Sequence, residues 1–268
     1  MCDTCGCNLT SGNRHLAFKP VAKGTTAVSV LRGLLQKNDD EAAHNREHFD
    51  RRGILAINLM SSPGSGKTAL LEATLAAIKD EFNCAVIEGD LETENDAERI
   101  RAQGVQAHQI VTGTACHLDA HLVHDALHQM TLDGVDILFI ENVGNLVCPA
   151  SFDLGQHLNV TLLSVTEGDD KPAKYPVMFR AADAMLLTKT DLLAVLDDFD
   201  PAKAETHLRD LANPAPVFRL SARKALGMEA WLGWLREQFQ AQRARVAAGT
   251  TRRPAIQTDG QRYHAAGS

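Results

Sequence analysis

Residues 54–68, Ile-Leu-Ala-Ile-Asn-Leu-Met-Ser-Ser-Pro-Gly-Ser-Gly-Lys-Thr, limit what this chain can fold into more than any other stretch. The apolar opening has no helical period and reads as a buried strand. The small-residue run breaks it, and Ala69-Leu70-Leu71-Glu72-Ala73 then starts a helix. Strand, small-residue loop and helix form the setting of a phosphate-binding P-loop. Backbone N–H groups of Gly64, Ser65, Gly66, Lys67 and Thr68 can wrap a phosphate there, because glycine permits close approach and positive φ. The helix N-terminus adds a favourable dipole. Lys67 reaches the terminal phosphates as a catalytic cation, and the Thr68 hydroxyl ligates Mg²⁺. Ser61 stands where the usual pattern opens with glycine. A flexible loop with a chance Gly-Lys-Thr would not explain the strand before it and the helix after it. The chain is expected to bind a nucleoside triphosphate.

The fold class follows from the same pattern repeated: a doubly wound, mostly parallel α/β sheet, with an N-terminal metal-binding segment and helix. In 268 residues, 44% are hydrophobic, which is ample for one core plus appendages. The net charge of −7 argues against nucleic acid or an anionic membrane surface as partner. The N-terminus has no apolar signal core, so the expected location is cytoplasmic. In a reducing compartment, cysteines at 2, 5, 7, 84, 116 and 148 point to metal or redox chemistry rather than disulfides. Cys2, Cys5 and Cys7 are too close to the terminus for packing to explain them. With the α-amine of Met1 they could form a four-coordinate site, planar for Ni²⁺ or tetrahedral for Zn²⁺. A redox-active Cys-x-x-Cys is the competing reading.

Four regions are expected: residues 1–25 as the Cys-rich segment and linker, 26–53 as a helix packing on the nucleotide domain, 54–245 as the P-loop domain, and 246–268 as a disordered tail. His44 and His48, one turn apart on the first helix, read as solvated surface. Cys84 to Asp90 is a second buried strand, and Asp90 at its end could ligate Mg²⁺ or position the attacking water; a helix cap is the alternative. A helix starting near Cys116 would put His117, His121, His124 and His128 on one face. Cys116, His117 and His121 could then converge on an ion, while His124 and His128 read as a surface stripe. The strand ending in Glu141 has the acidic Walker-B residue for Mg²⁺. Gly144, three residues on, can offer its N–H to a γ-phosphate, and Cys148 supplies a second sulfur four residues beyond. Residues 166–176 read as a polar loop near the nucleotide. Thr188-Lys189-Thr190-Asp191 matches the guanine-reading pattern except at its first residue. Asp191 can accept from the base N1–H and exocyclic amine, the Lys189 stem packs on the base, and Ser221-Ala222 suits a backbone contact to the base oxygen. GTP is favoured over ATP.

The Cys-x-x-Cys-Gly-Cys segment, the P-loop, Cys116-His117, the Glu141–Pro149 stretch and Lys174-Tyr175-Pro176 together resemble the HypB family of hydrogenase nickel-incorporation GTPases, over nearly all of residues 1–245. The resemblance implies a GTPase that forms a homodimer with GTP and delivers nickel to a hydrogenase large-subunit precursor with other nickel-insertion accessory proteins. It places a tight nickel site on Cys2, Cys5 and Cys7. A weaker nickel or zinc site, at the dimer interface, would fall on Cys116, His117 and Cys148, with His121 a further ligand. The family carries asparagine where Thr188 stands, and residues 8–25 hold only His15, which argues against a histidine-rich storage tract. A P-loop kinase of a small metabolite and a urease-type nickel GTPase are the alternatives; the triple-thiol segment does not fit the latter.

Overall fold

The structure is a computed structural model that describes residues 27–90, 95–113 and 115–254, with side chains from residue 35 onward. Cys2, Cys5 and Cys7 lie outside the described residues, as does the linker over 8–25. Seven strands, β1 (Leu55–Met60), β2 (Cys84–Asp90), β3 (Gln106–Val111), β4 (Ile137–Glu141), β5 (Leu158–Ser164), β6 (Ala184–Thr188) and β7 (Val217–Arg219), form one sheet in the order β3-β2-β4-β1-β5-β6-β7. Every pairing is parallel, so the doubly wound sheet expected from the sequence is borne out. The reason is visible in β1, β4, β5 and β6, whose residues are buried without alternation. Strands of that kind need helices on both faces.

Both faces are covered. On one, α2 (Lys67–Ile78) and the last helix, α8 (Met228–Ala247), press Leu70, Leu71, Leu75, Trp231 and Leu235 against the central strands. The Trp231 indole N–H donates to Thr74 Oγ1 at 3.0 Å, so the largest core side chain hides no unpaired donor. On the other face lie α1 (Ala27–Arg52) and α4 (Ala120–His128), which bury Phe49, Leu122, Val123 and Leu127. Between these on the sequence run α3 (Asn95–Arg101), the short α5 (Lys171–Lys174) and α6 (Pro176–Arg180), and α7 (Pro201–Asp210).

Two departures from expectation have local causes. The helix after Cys116 starts four residues late, at Ala120, because Asp119 takes the N-cap and accepts from the Leu122 N–H at 2.9 Å. Cys116 and His117 therefore sit in the loop before the helix, and His117 does not share a face with His121. The tail expected from residue 246 does not begin there. Helix α8 runs to Ala247, the Arg252 guanidinium bonds Asp183 Oδ1, and Pro254 is buried; residues 255–268 lie outside the described residues. Among the described residues no helix is long and apolar enough to cross a membrane.

Helix α1 is held to the sheet by polar groups as well as Phe49. The Asn45 amide donates to Ala120 O and Leu154 O, and the buried Arg46 guanidinium bonds both oxygens of Asp153 at 2.6 and 2.7 Å. Removing one partner of such a pair leaves a charge stranded out of water. Arg46→Ala should cost about 3–5 kcal/mol in denaturant unfolding. Arg51→Ala, which breaks only an exposed pair with Glu47, should stay within about 0.5 kcal/mol.

Candidate functional site

The chain reverses its direction of travel across the sheet around β1, so the C-terminal ends of β1, β2 and β4 open onto one crevice. Two cavities lie along it. One, of about 380 Å³, is lined by Gly64, Lys67, Thr68, Glu88, Asp90, Glu141 and Gly144 among others. The second, of about 350 Å³, is lined by Ser65, Gly66, Lys189, Asp191, Ser221 and Ala222 among others, and both include Gly66 and Ala69. The P-loop, Asp90, Glu141, Gly144, Lys189, Asp191, Ser221 and Ala222 thus border one continuous cleft, with the residues expected to read the base at one end and those expected to hold phosphate at the other.

The P-loop geometry rests on backbone conformations that only glycine adopts easily. Gly64 has φ +74° and Gly66, which caps α2, has φ +95°. Ser61, at the position where glycine is usual, is fully buried. Its hydroxyl donates to Ser62 O at 2.7 Å and accepts from the Lys67 ammonium at 3.0 Å. The departure at Thr188 also has a structural answer: its hydroxyl donates to Ser65 O at 2.7 Å, and the Lys189 ammonium to Gly64 O at 2.6 Å. The Thr188–Asp191 turn and the P-loop therefore brace each other.

At the phosphate end, charges are buried. Lys67 Nζ lies 4.0 Å from Glu141 Oε1, and Thr68 Oγ1 donates to that same oxygen at 3.1 Å. Glu88, which sequence reasoning missed, stands beside Glu141 in register across β2 and β4. Burial, and then the neighbouring Glu141 carboxylate, push the Glu88 carboxyl far above the usual carboxylate range; burial also raises Glu141, against the pull of Lys67. Glu88 Oε1 and Glu141 Oε2 are buried with no hydrogen-bond partner. Two neighbouring acids with orphaned oxygens beside a threonine hydroxyl are the donor set of a hard divalent cation, so the residues fit Mg²⁺. The available signal was a carboxylate inside the apolar run of β2, two residues before Asp90 and so on the same strand face. Asp96, Arg99 and Arg223 also line the cleft and went unread. Residues 166–176, expected near the nucleotide, line neither cavity. Asp169 is drawn instead to Lys203 at 3.0 Å, and Tyr175 packs into the apolar cluster under β5 and β6.

A second site lies beside the cleft. Cys116 Sγ and Cys148 Sγ are 3.3 Å apart, and His117 Nδ1 is 3.8 Å from Cys116 Sγ. These three ligand atoms lie within 4.8 Å of one another. Neither cysteine is in a disulfide, and both are partly exposed. The His117 ring is fully buried, stacks on Phe152 at 4.0 Å and has an unpartnered Nε2. Burial pushes its pKa down to about 4, which leaves a neutral ring able to donate a lone pair. His121 stands outside this group and faces Asp125 at 3.7 Å, because α4 begins beyond His117.

One loop joins the two sites. A Cβ on Gly144 would meet Pro63 backbone atoms at 2.9 Å, so the stretch after β4 lies directly on the P-loop. Asn142 Oδ1 accepts from the Leu118 N–H at 3.1 Å, and the Asn145 amide donates to Cys116 O at 3.3 Å. The residues flanking Gly144 thus hold the Cys116–Leu118 segment.

Residues 55–219 match the family described as CobW/HypB/UreG, nucleotide-binding domain. The hydrogenase maturation factor HypB of Azotobacter chroococcum is 51% identical over 235 residues, covering 87% of this chain and 76% of the relative. The solved structure of HypB from Helicobacter pylori in complex with nickel is 45% identical, with a TM-score of 0.73 over 76% of this chain and 96% of that one. That of hydrogenase maturation factor HypB from Archaeoglobus fulgidus is 38% identical, with a TM-score of 0.71 over 76% and 100%.

The buried acids set a pH dependence. Above the ordinary carboxylate value of 4.5, the folded protein holds protons that the unfolded chain releases, so this pair makes stability fall as pH rises. The buried rings of His117 and His157 act oppositely below 6.5, since burial lowers their values and folding then releases protons. Comparing Glu88→Gln with the parent isolates the acids. In thermal unfolding without nucleotide or divalent ion, the variant's Tm gain should be small near pH 5 and reach several degrees at pH 8. A gain independent of pH would refute the assignment.

Proposed function

Because the chain belongs to the HypB hydrogenase maturation factors of the CobW/HypB/UreG nucleotide-binding family, we propose that it is a GTP-hydrolysing nickel metallochaperone. It delivers Ni²⁺ to a [NiFe]-hydrogenase precursor, and GTP-dependent dimerisation gates the transfer. The observation that carries this reading is the shared loop. Gly144 lies on the P-loop while Asn142 and Asn145 on either side hold the segment bearing Cys116. A change at the γ-phosphate then alters the geometry of a thiolate pair.

Guanine enters the cavity bordered by Lys189 and Asp191, whose carboxylate accepts the two donors that adenine does not offer together. The triphosphate runs along Gly64–Thr68, and Lys67 leaves the Ser61 hydroxyl for the β- and γ-phosphates. Thr68, Glu141, Glu88 and Asp90 are the residues that would hold Mg²⁺, which neutralises charge on the leaving β-phosphate oxygen when bound. Water attacks the γ-phosphorus, the bond to that oxygen breaks, and GDP and inorganic phosphate result. Asp90, at the cleft edge, orients this water.

Nickel is the cargo. Cys116, His117 and Cys148 offer a soft, partly exposed S₂N set that needs one more ligand to close, and a second subunit can supply it across the interface. The nucleotide shifts nickel affinity only by binding two conformations differently, and by linkage nickel must shift GTP affinity by the same factor. Two changes separate the parts. Lys67→Ala should abolish GTP turnover and leave nickel binding without nucleotide intact. Asn145→Ala should keep turnover within about threefold while the nickel affinity no longer differs between GDP and a non-hydrolysable GTP analogue. The check is nickel titration followed by thiolate-to-metal absorbance and oligomer mass together. Nickel affinity indifferent to nucleotide in the parent protein would overturn the gating.

A further inference from the structure

Gln109 lies on β3, the edge strand next to β2. The residue as a whole is partly exposed, yet its polar tip is closed off: both amide atoms, Nε2 and Oε1, are buried without a hydrogen-bond partner in the protein. An amide in that state costs stability. The buried amides of Asn45 and Asn213 are different, since each donates to two backbone carbonyls or more.

Strand register shows what Gln109 stands beside. It pairs with Glu88 across β3 and β2, and Glu88 pairs with Glu141 across β2 and β4. In-register neighbours on adjacent strands lie about 4.8 Å apart and point to the same face. The residues two positions earlier identify that face, because Ala107, Val86 and Phe139 all pack in the cluster under α2 and α8. Gln109, Glu88 and Glu141 therefore form one polar row on the side of the P-loop helix. A hydrogen bond from the Thr112 N–H to Asp90 O, at 2.9 Å, holds the register at the cleft end. Glu88 and Glu141 line the phosphate end of the cleft. Gln109 borders neither cavity and stands behind Glu88, on the side away from Glu141. Glu88 Oε1 is buried and unpartnered as well, so two orphaned groups occupy neighbouring places in the row.

We propose that Gln109 is a positioning residue for the divalent cation: its Nε2 donates to the outer oxygen of Glu88 when Glu88 ligates the ion, and so sets the direction of that ligand. The inference rests on the reading of Glu88 as a Mg²⁺ ligand and adds the residue that orients it. Carboxylates that ligate a metal are themselves held by hydrogen bonds, and an amide N–H is a donor of the required kind. It also adds no negative charge to a row that already has two carboxyls.

Gln109→Met keeps the length of the side chain and removes both polar atoms. In thermal unfolding of the full chain without nucleotide or divalent ion, it should raise Tm by about 2–4 °C, because an orphaned amide leaves the interior. In isothermal titration of Mg²⁺ into the chain saturated with a non-hydrolysable GTP analogue, the same variant should bind the ion about tenfold more weakly. A glutamine with a merely structural role would not give a gain in stability together with a loss of ion affinity. Glu88→Gln should weaken Mg²⁺ on its own, and adding Gln109→Met to it should change the affinity by less than about twofold, since the amide acts through Glu88. Parent-like Mg²⁺ affinity in Gln109→Met, with Glu88→Gln impaired, would overturn this inference and leave Glu88 a ligand. A lower Tm, or losses that multiply in the double variant, would overturn it too. Parent-like affinity in Glu88→Gln would remove the cation reading of Glu88, and this inference with it.

Discussion

Lys67, Glu88 and Glu141 are three ionisable side chains in surroundings as closed as a hydrophobic core, and the rest of the architecture can be understood as holding them there. Charges in such a place survive only if compensated, and here the acids hold on to a proton instead. One ammonium faces two carboxyls, and one oxygen of each acid has no partner. The raised values of both acids are the energetic trace of that deficit. A divalent cation and a polyphosphate together would remove it: the cation would answer the acids, and the phosphates Lys67 and the P-loop N–H groups. The cost of keeping these acids buried is what a bound cation and polyphosphate would relieve.

That arrangement depends on the sheet. Parallel strands point all their carboxyl ends the same way, so β1, β2 and β4 deliver the P-loop, Glu88 with Asp90, and Glu141 to one edge without any long connection. The helices that cover the two faces are equally necessary, because strands buried on both sides cannot face water. Helix α1 covers the face nearest the sulfur site through polar anchors, Asn45 and Arg46, that specify its position more sharply than apolar contact alone. A close-packed interface of this kind moves between discrete arrangements rather than deforming smoothly. It is the mechanical property needed if a small shift at Gly144 is to reach Cys148.

The legibility of the site in the sequence followed how local its chemistry is. The P-loop residues, Asp90, Glu141, Gly144 and the Lys189–Asp191 turn were readable because each sits at a strand end whose position the apolar run announces. Cys116, His117 and Cys148 were readable as ligand types, but the helix start was misplaced: Asp119 is a stronger N-cap than anything near Cys116, and this removes His121 from the group. Glu88 was hidden inside an apolar strand. Asn142 and Asn145 were hidden because an amide's role depends entirely on which carbonyls and N–H groups lie opposite it.

The sequence by itself determined the class of fold, the nucleotide cleft and the kinds of ligand available for metal, since these follow from short-range patterns of burial, glycine conformation and side-chain chemistry. Only the tertiary structure decided which of those groups meet. It put Glu88 in register between Gln109 and Glu141, and set Gly144 on Pro63 with Cys116 tied alongside. The physical reason is that helix packing and strand register fix distances between residues remote in the chain, and those distances are properties of the assembled core rather than of any one stretch.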